Sequence, residues 1–416
     1  MPNTLLSPTT ILKDTEARFE NSCVMSKYVD RSFDGKFAIK DEKVGATVNA
    51  RMPVRYKGST GETYAAEDTT EIMKAVTINT RWKVCPEFSD VDLLLTIDRF
   101  GERYLAPAGE RLANMIDTSL TGLYTQVDNI SPNAVPGTIP TTRLAYTLAR
   151  AALAKYGVPD LKQRSLVVNP DAEAYMVEFG ATMFNDQKDL ARQYAEGTMG
   201  IYSGMKVSVD QNIASQQLGA WGTTSNPIVS ALPAQNAQSV ATSGWAAGAT
   251  LNAGDVVSFG GSNAVNPLTW LSLGMRQNFA VSALCTADGA GLMTITLNKK
   301  LNDDATSVSQ NLTARPAINS TVKVYGQGTG AALNAISGLV SPQHLLFHMK
   351  AFVLAIVKQE LPGGMEWSEQ VTNQRSGFAM RLVRGYDIVN NKKMTRLEVL
   401  GGVQTLREDF AMRIPG

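Results

Sequence analysis

Histidine is almost missing from this chain. Its 416 residues contain two, His344 and His348. A serine or cysteine triad, or a zinc site built on imidazole, therefore has very little to draw on. The two stand four apart in HLLFH, a spacing that would put both rings on one helix face. A metalloprotease helix needs a glutamate directly after the first histidine, and Leu345 stands there. No third ligand is identifiable, so a structural role is the better reading.

Cysteine is scarce as well. Cys23, Cys85 and Cys285 are far apart and odd in number, without metal-clip or redox spacing. A disulfide framework is not expected, and a reducing compartment is favoured. Cys85, in KVCPEF, reads as a packed core or rim residue rather than a reactive thiol. An excess of one charge is also lacking: 39 basic against 38 acidic residues give a net +1. A dedicated nucleic-acid binder carries a basic surplus, so only local patches remain open. No apolar run reaches the ~18 residues of a membrane span. The first residues, MPNTLLSPTTILKDTEARFEN, lack the basic start and apolar stretch of a signal peptide. The expectation is a soluble protein made in a cytoplasm, with no membrane partner.

Signatures of chemistry are missing too. There is no nucleophile elbow and no P-loop lysine motif, and Gly326-Gln327-Gly328-Thr329-Gly330 lacks the context of a dinucleotide loop. Gly260-Gly261 and Gly363-Gly364 read as turns. No catalytic residue, cofactor or metal is expected. Glu408/Asp409 and Asp90/Asp92 read as solvated faces or caps.

The most informative absence is local. Between Asp210 and Asp255 there is no charged residue. From 211 to 341 the chain has only Arg276, Lys299, Lys300, Arg315 and Lys323 against Asp255, Asp288, Asp303 and Asp304. The flanks are charge-rich on both sides, which marks a module inserted into a host. Its short apolar runs (Asp255–Phe259, Phe279–Ser282, Met293–Leu297, Thr321–Tyr325) are spaced like strands of a small barrel or sandwich. Trp221, Trp245 and Trp270 argue against a disordered linker.

In the host, Ser7-Pro8 precedes a short helix over Thr9–Asn21. Val44–Tyr56 and Ile72–Trp82 alternate around the turn cluster at Lys57–Gly61, which predicts a long two-stranded loop needing a partner surface. Ile72, Lys74, Val76, Ile78, Thr80 and Trp82 share one face. Residues 86–130 are helical in pattern, with Pro107 a kink or helix start. Thr141 or Thr142 should cap a helix over Arg143–Tyr156, with Leu144, Leu148, Ala151, Ala152 and Lys155 at helical spacing, stopped by Gly157-Val158-Pro159. A strand over Ser165–Pro170, a helix over Asp171–Gly180 and a strand over Gly200–Val209 follow. After the insertion, His344–Val357 reads as an amphipathic helix. Phe378–Val389 and Met394–Leu400 read as strands around Asn390-Asn391, and Val403–Ile414 as one closing strand. The basic residues Arg51, Arg55, Lys57, Arg81 and Lys83 lie on the extended loop. They fit either a soluble hairpin or charge complementarity with a neighbouring subunit.

Several stretches in this order resemble the P22-like coat proteins, a group of tailed-bacteriophage major capsid proteins. They are VGATVNARMPVRY, WKVCPEFSDVDLLLTIDRFGERYLAPAGERLANMID, GDVVSFGG, HLLFHMKAFVLAIVKQELPGG and GVQTLREDFAMRI. The resemblance implies an α+β HK97-type capsid fold. Its parts would be an N-terminal arm (1–35), an E-loop (36–85) and a peripheral domain with a spine helix (86–160, with part of 385–416). An axial domain (161–210 and 342–384) and an inserted barrel-like I-domain (211–341) would complete it. It further implies hexamers and pentamers of this chain in an icosahedral shell, with a scaffolding protein, a portal protein and double-stranded DNA as partners, assembled in a bacterial cytoplasm. From the residues alone the rival is an adhesion protein, presenting the uncharged module as a surface-binding β-sandwich.

Overall fold

The computed structural model describes residues 8–33, 47–58, 60–62, 67, 71–89, 106–159, 163–181, 201–221, 226–325, 337–372, 378–388 and 392–416. The chain opens with helix α1 (Pro8–Ser22), then strands β1 (Thr47–Arg51), β2 (Met73–Thr77), β3 (Thr80–Val84) and β4 (Glu87–Ser89). Helices α2 (Ala106–Thr121) and α3 (Arg143–Lys155), strand β5 (Arg164–Val168), helix α4 (Pro170–Ala181), and strands β6 (Ile201–Tyr202) and β7 (Met205–Val209) follow. The inserted part contains β8 (Ser215–Gln217), β9 (Ile228–Val229), β10 (Ser239–Ser243), β11 (Thr250–Leu251), β12 (Val256–Val265), β13 (Ser272–Ala280), β14 (Cys285–Thr286), β15 (Met293–Thr296) and β16 (Val322–Val324). The chain closes with β17 (Val340–His348), β18 (Phe352–Val357), β19 (Trp367–Thr372), β20 (Ala379–Asp387), β21 (Lys392–Thr405) and β22 (Ala411–Pro415). Two compact units result: Met1–Ala50, Met73–Leu120 and Phe352–Leu406 form the first, and Arg51–Ile72, Thr121–Ala351 and Arg407–Gly416 the second.

The first unit is an antiparallel sheet of order β18-β21-β20-β19, with β3 and β4 also on β21. One face of the sheet buries Trp82, Leu382, Leu397 and Val399. Trp82 reaches α2 by donating from Nε1 to Ser119 Oγ at 3.0 Å. α1 lies close to α2, since a Cβ at Gly109 would meet Thr15 Cγ2 at 3.0 Å and the Thr15 carbonyl at 3.2 Å. The buried Asp117 carboxylate accepts from the Val24 N–H at 2.7 Å and the Ser26 N–H at 3.1 Å. Beside it, burial pushes the Cys23 thiol up to about 12, helped by the Asp117 charge. Gly402 is dictated by backbone, because a Cβ there would lie 2.0 Å from the Thr77 carbonyl oxygen.

Three expectations for this region change. Ile72–Trp82 is two strands, β2 and β3, in different sheets. Val76, Ile78 and Trp82 are buried as the alternation predicts, whereas Ile72 is 44% exposed. His344–Val357 is not a helix but β17, a single 3₁₀ turn over Met349–Ala351, and β18. Every residue of β18 is buried, and a run buried on both faces loses the alternation that marks a strand. Ser89 ends strand β4, and Asp90, Phe100, Tyr104 and the Asn390-Asn391 turn fall outside the described residues.

The second unit has a sheet of order β22-β17-β5-β7-β6, with β5 and β7 parallel and α4 between them in sequence. Gly200–Val209 is a hairpin, β6 and β7, because Ser203 (φ 49°) and Gly204 (φ 77°) turn the chain. The single closing strand is likewise split: β21 ends at Thr405 and β22 starts after a 3₁₀ turn at Glu408–Phe410. α3 keeps its expected span but has no side-chain cap at Thr142. It buries Ala145, Tyr146, Ala149, Ala152 and Leu153, while Leu144 and Ala151 are exposed. Gly157 ends it with φ +73°, and a Cβ there would also meet Leu268 Cδ1 at 2.6 Å.

The charge-poor segment departs along β8 and returns along β17, which pair antiparallel through Gln217–Val340, Gln216–Ser341 and Ser215–Pro342. Beyond that stalk, two small sheets run β15-β10-β9 and β13-β12-β16. Two bridges, Ile228–Thr321 and Val281–Leu297, join them at both edges. The ring β10-β9-β16-β12-β13-β15 is thereby closed, which removes free strand edges. Its interior is one apolar cluster including Trp221, Val240, Trp245, Phe259, Phe279 and Ile295. Trp221 is fully buried, and Trp245 donates to Thr242 Oγ1 at 2.8 Å. Gly260-Gly261 is an irregularity inside β12, not a turn between strands.

Candidate functional site: the charged loop and the buried ionic clusters

The loop beyond β1 and β2 begins where the Met52 N–H donates to the Ile72 carbonyl at 2.9 Å. Arg51 and Glu71 form an exposed pair at 3.7 Å, a geometry worth little in water. Farther out, Glu67 accepts from the N–H groups of Lys57 (2.8 Å) and Gly58 (2.6 Å), and Gly58 supplies φ +69° for the turn. Lys57 then meets the inserted module. Its ammonium lies 4.6 Å from the Trp270 ring centre and also donates to the Ala305 carbonyl. Trp270 answers by donating from Nε1 to the Tyr56 carbonyl at 3.2 Å. Arg55 pairs with Asp409 at 3.6 Å. Four of the five basic residues singled out from sequence thus have partners within their own chain, Arg81 through Glu398 at 3.9 Å in the first unit, and Lys83 is exposed beside it on β3.

Asp409 belongs to a second cluster that sequence reasoning missed. Glu408 and Asp409 are not a solvated pair. Lys299, from the inserted module, is 2.7 Å from Asp409, 3.5 Å from Glu408 and 2.7 Å from the fully buried Asp128. Burial works against the Lys299 ammonium, but the pull of Asp128, Asp409 and Glu408 outweighs it and holds its pKa well above the usual lysine range. Asp128 also accepts from the Ala280 N–H at 2.9 Å. No sequence signal links these residues, which are far apart in the chain.

Asp255, the first charge after the gap, is the centre of a third cluster. Its carboxylate accepts from the Asn252 N–H (2.8 Å), Gln216 Nε2 (2.9 Å) and the Gly219 N–H (3.0 Å). Tyr124 donates to Gln216 Oε1 at 2.7 Å, and the buried Arg413 donates to the Gly254 carbonyl at 2.7 Å. Burial pushes Asp255 up to about 6. The stalk strand β8, one turn of the barrel and the closing strand β22 are bound into this network.

The two histidines sit on β17. Both are buried, and His344 Nε2 is 2.9 Å from Asn169 Oδ1. Burial pushes His344 down to about 4. His348 Nδ1 accepts from the Lys350 N–H at 3.2 Å and meets the Phe410 ring edge-on. Cys85 is exposed, which excludes the core position and leaves the rim.

No protein-family model and no curated protein matches the chain. Solved structures do match. One, named for Mycobacterium phage Che8, has 12% identity and a TM-score of 0.44 over 94% of this chain and 90% of its own. The capsid of Ralstonia phage GP4 has 9% identity and a TM-score of 0.44, over 93% of this chain and 86% of its own. The CUS-3 coat protein I-domain has 23% identity and a TM-score of 0.20, with 26% of this chain covering all of that one.

Proposed function

We propose that this chain is a major capsid protein, the subunit of an icosahedral shell enclosing the double-stranded DNA of a tailed phage. The observation that carries the reading is the segment Arg51–Ile72. None of its described residues is buried, Tyr56 is 58% exposed and Ile72 44%. A segment with no core of its own gains burial only against another surface. Polar tethers such as Arg55–Asp409 and Lys57–Trp270 are weak enough to exchange for contacts with a neighbour. The near-neutral net charge of +1 supports the same reading, since copies can approach without strong mutual repulsion.

In this reading the fold is of the HK97 type, 36–85 is the E-loop, and 211–341 is the I-domain. Arg51, Arg55, Lys57, Arg81 and Lys83 contribute to contacts between subunits, and a scaffolding protein and a portal protein direct assembly in the host cytoplasm. The adhesion alternative gains no support, and the tryptophans Trp221 and Trp245 of that tract are buried in the barrel core.

Sedimentation of the purified chain, with and without a co-expressed scaffolding protein, tests the proposal. Large closed particles are expected, and shortening the loop between Arg55 and Ile72 should leave small oligomers. A chain that sediments as a monomer in every condition would refute it.

A further inference from the structure

The open face of the first unit's sheet gathers more cationic donors than it can use. Strand register sets this up. Glu398 on β21 stands opposite Lys83 of β3 on one side and Arg381 of β20 on the other. Arg396 is two residues along β21 and Arg81 two along β3, so all five share a face. The opposite face holds Trp82, Leu382, Leu397 and Val399 in the core.

Glu398 is fully buried at the centre. Arg381 Nε is 2.7 Å from its Oε1, Arg396 Nη2 is 2.6 Å from its Oε2, and Arg81 Nε is 3.9 Å from the same oxygen. One carboxylate offers about four acceptor sites, whereas each guanidinium brings five N–H donors. Arg381 places one further donor on the Glu360 carbonyl. The Arg81 and Arg396 side chains remain 38% and 37% exposed, and Lys83 adds another exposed cation. At the far end of the strand Lys392 is neutralised by Glu87, so among the described residues of this face the surplus lies in the Glu398 neighbourhood.

We infer that this face is a docking surface for an acidic peptide segment of a protein partner, whose carboxylates take the donors that Glu398 leaves over. Arginine forks already set around one carboxylate are suited to a second. The half-buried Val383 opposite Arg396 adds an apolar contact suited to a peptide. A nucleic-acid duplex fits less well, since it calls for a longer basic track, and this one is bounded by the Lys392–Glu87 pair. The inference does not depend on the shell reading.

The test is fluorescence anisotropy on the full chain with a labelled short poly-glutamate peptide, a neutral peptide of equal length and a labelled DNA duplex. The glutamate peptide should bind best and be released by high salt. Arg81→Gln with Lys83→Gln should weaken it by at least about fivefold with an unchanged melting temperature. Lys83→Glu, an exposed change, should weaken it as well and keeps the test valid if the double variant misfolds. Equal binding of both peptides, wild-type affinity in folded variants, or tighter binding of the duplex would overturn the inference. Because the readout is peptide affinity, failure here leaves particle formation by the same chain as a separate result.

Discussion

Lys299 Nζ stands 2.7 Å from Asp128 Oδ2, and the same nitrogen stands 2.7 Å from Asp409 Oδ1. One ammonium of the inserted barrel therefore ties together the segment after α2 and the turn before β22. Removing one partner of a buried pair leaves the other charge uncompensated, at about 3–5 kcal/mol. Lys299→Met should lower the stability of the second unit by that order in urea unfolding followed by tryptophan fluorescence. Adding Asp128→Asn should restore part of it, because the most buried of the three carboxylates is then gone.

Asp255 makes stability depend on pH in an unusual direction. Its folded pKa is about 6, above the ordinary 3.8, so the folded chain binds this proton more tightly than the unfolded one. Its contribution is fully present below about 3.8 and is lost as pH rises through 6. That amounts to about 2 kcal/mol between pH 4 and pH 7. His344 works the other way: its folded pKa of about 4 lies below 6.5, so its contribution is present above 6.5 and lost as pH falls through 4. The difference between wild type and Asp255→Asn isolates the first effect. The two stability curves should lie close together near pH 4, where Asp255 is neutral like the asparagine, and separate as pH rises through 6, with Asp255→Asn the more stable at pH 7.

Gly157 answers two demands at once, a positive φ of +73° and the nearby Leu268 methyl. Gly157→Ala should cost about 1–2 kcal/mol from the left-handed backbone alone, and more from the clash. Leu268→Ala in the same chain should recover only the steric part, which a double-mutant cycle measures.

Lys57 over Trp270 is a partly exposed cation–π contact, worth about 0.5–1 kcal/mol. Lys57→Ala should leave global unfolding almost unchanged while speeding protease cleavage between Arg51 and Ile72. Equal cleavage rates would show that this contact does not hold the loop.

What was legible in the sequence follows from where the signals were local. α1, α3 and α4 were marked by their own starts and stops, such as Pro8 and Gly157-Val158-Pro159. The insertion was marked by its missing charges, and its strands by short apolar runs between turns. β17 and β18 carry no strand signal in the sequence because Leu345, Leu346, Phe347 and the whole of Phe352–Val357 are buried, which leaves no alternation to detect. The face of α3 was misassigned around the helix, since alanines at Ala145, Ala149, Ala151 and Ala152 give little contrast between sides. The partners of Glu408, Asp409 and Glu398 were illegible for another reason: sequence spacing does not bring Lys299 or Arg81 beside them, and only the folded register does.

If copies of this chain close into a shell, negative-stain electron microscopy of the protein expressed with a scaffolding protein should show closed icosahedral particles of uniform diameter. Fields of dispersed monomers, with the chain folded and the scaffold present, would contradict shell closure.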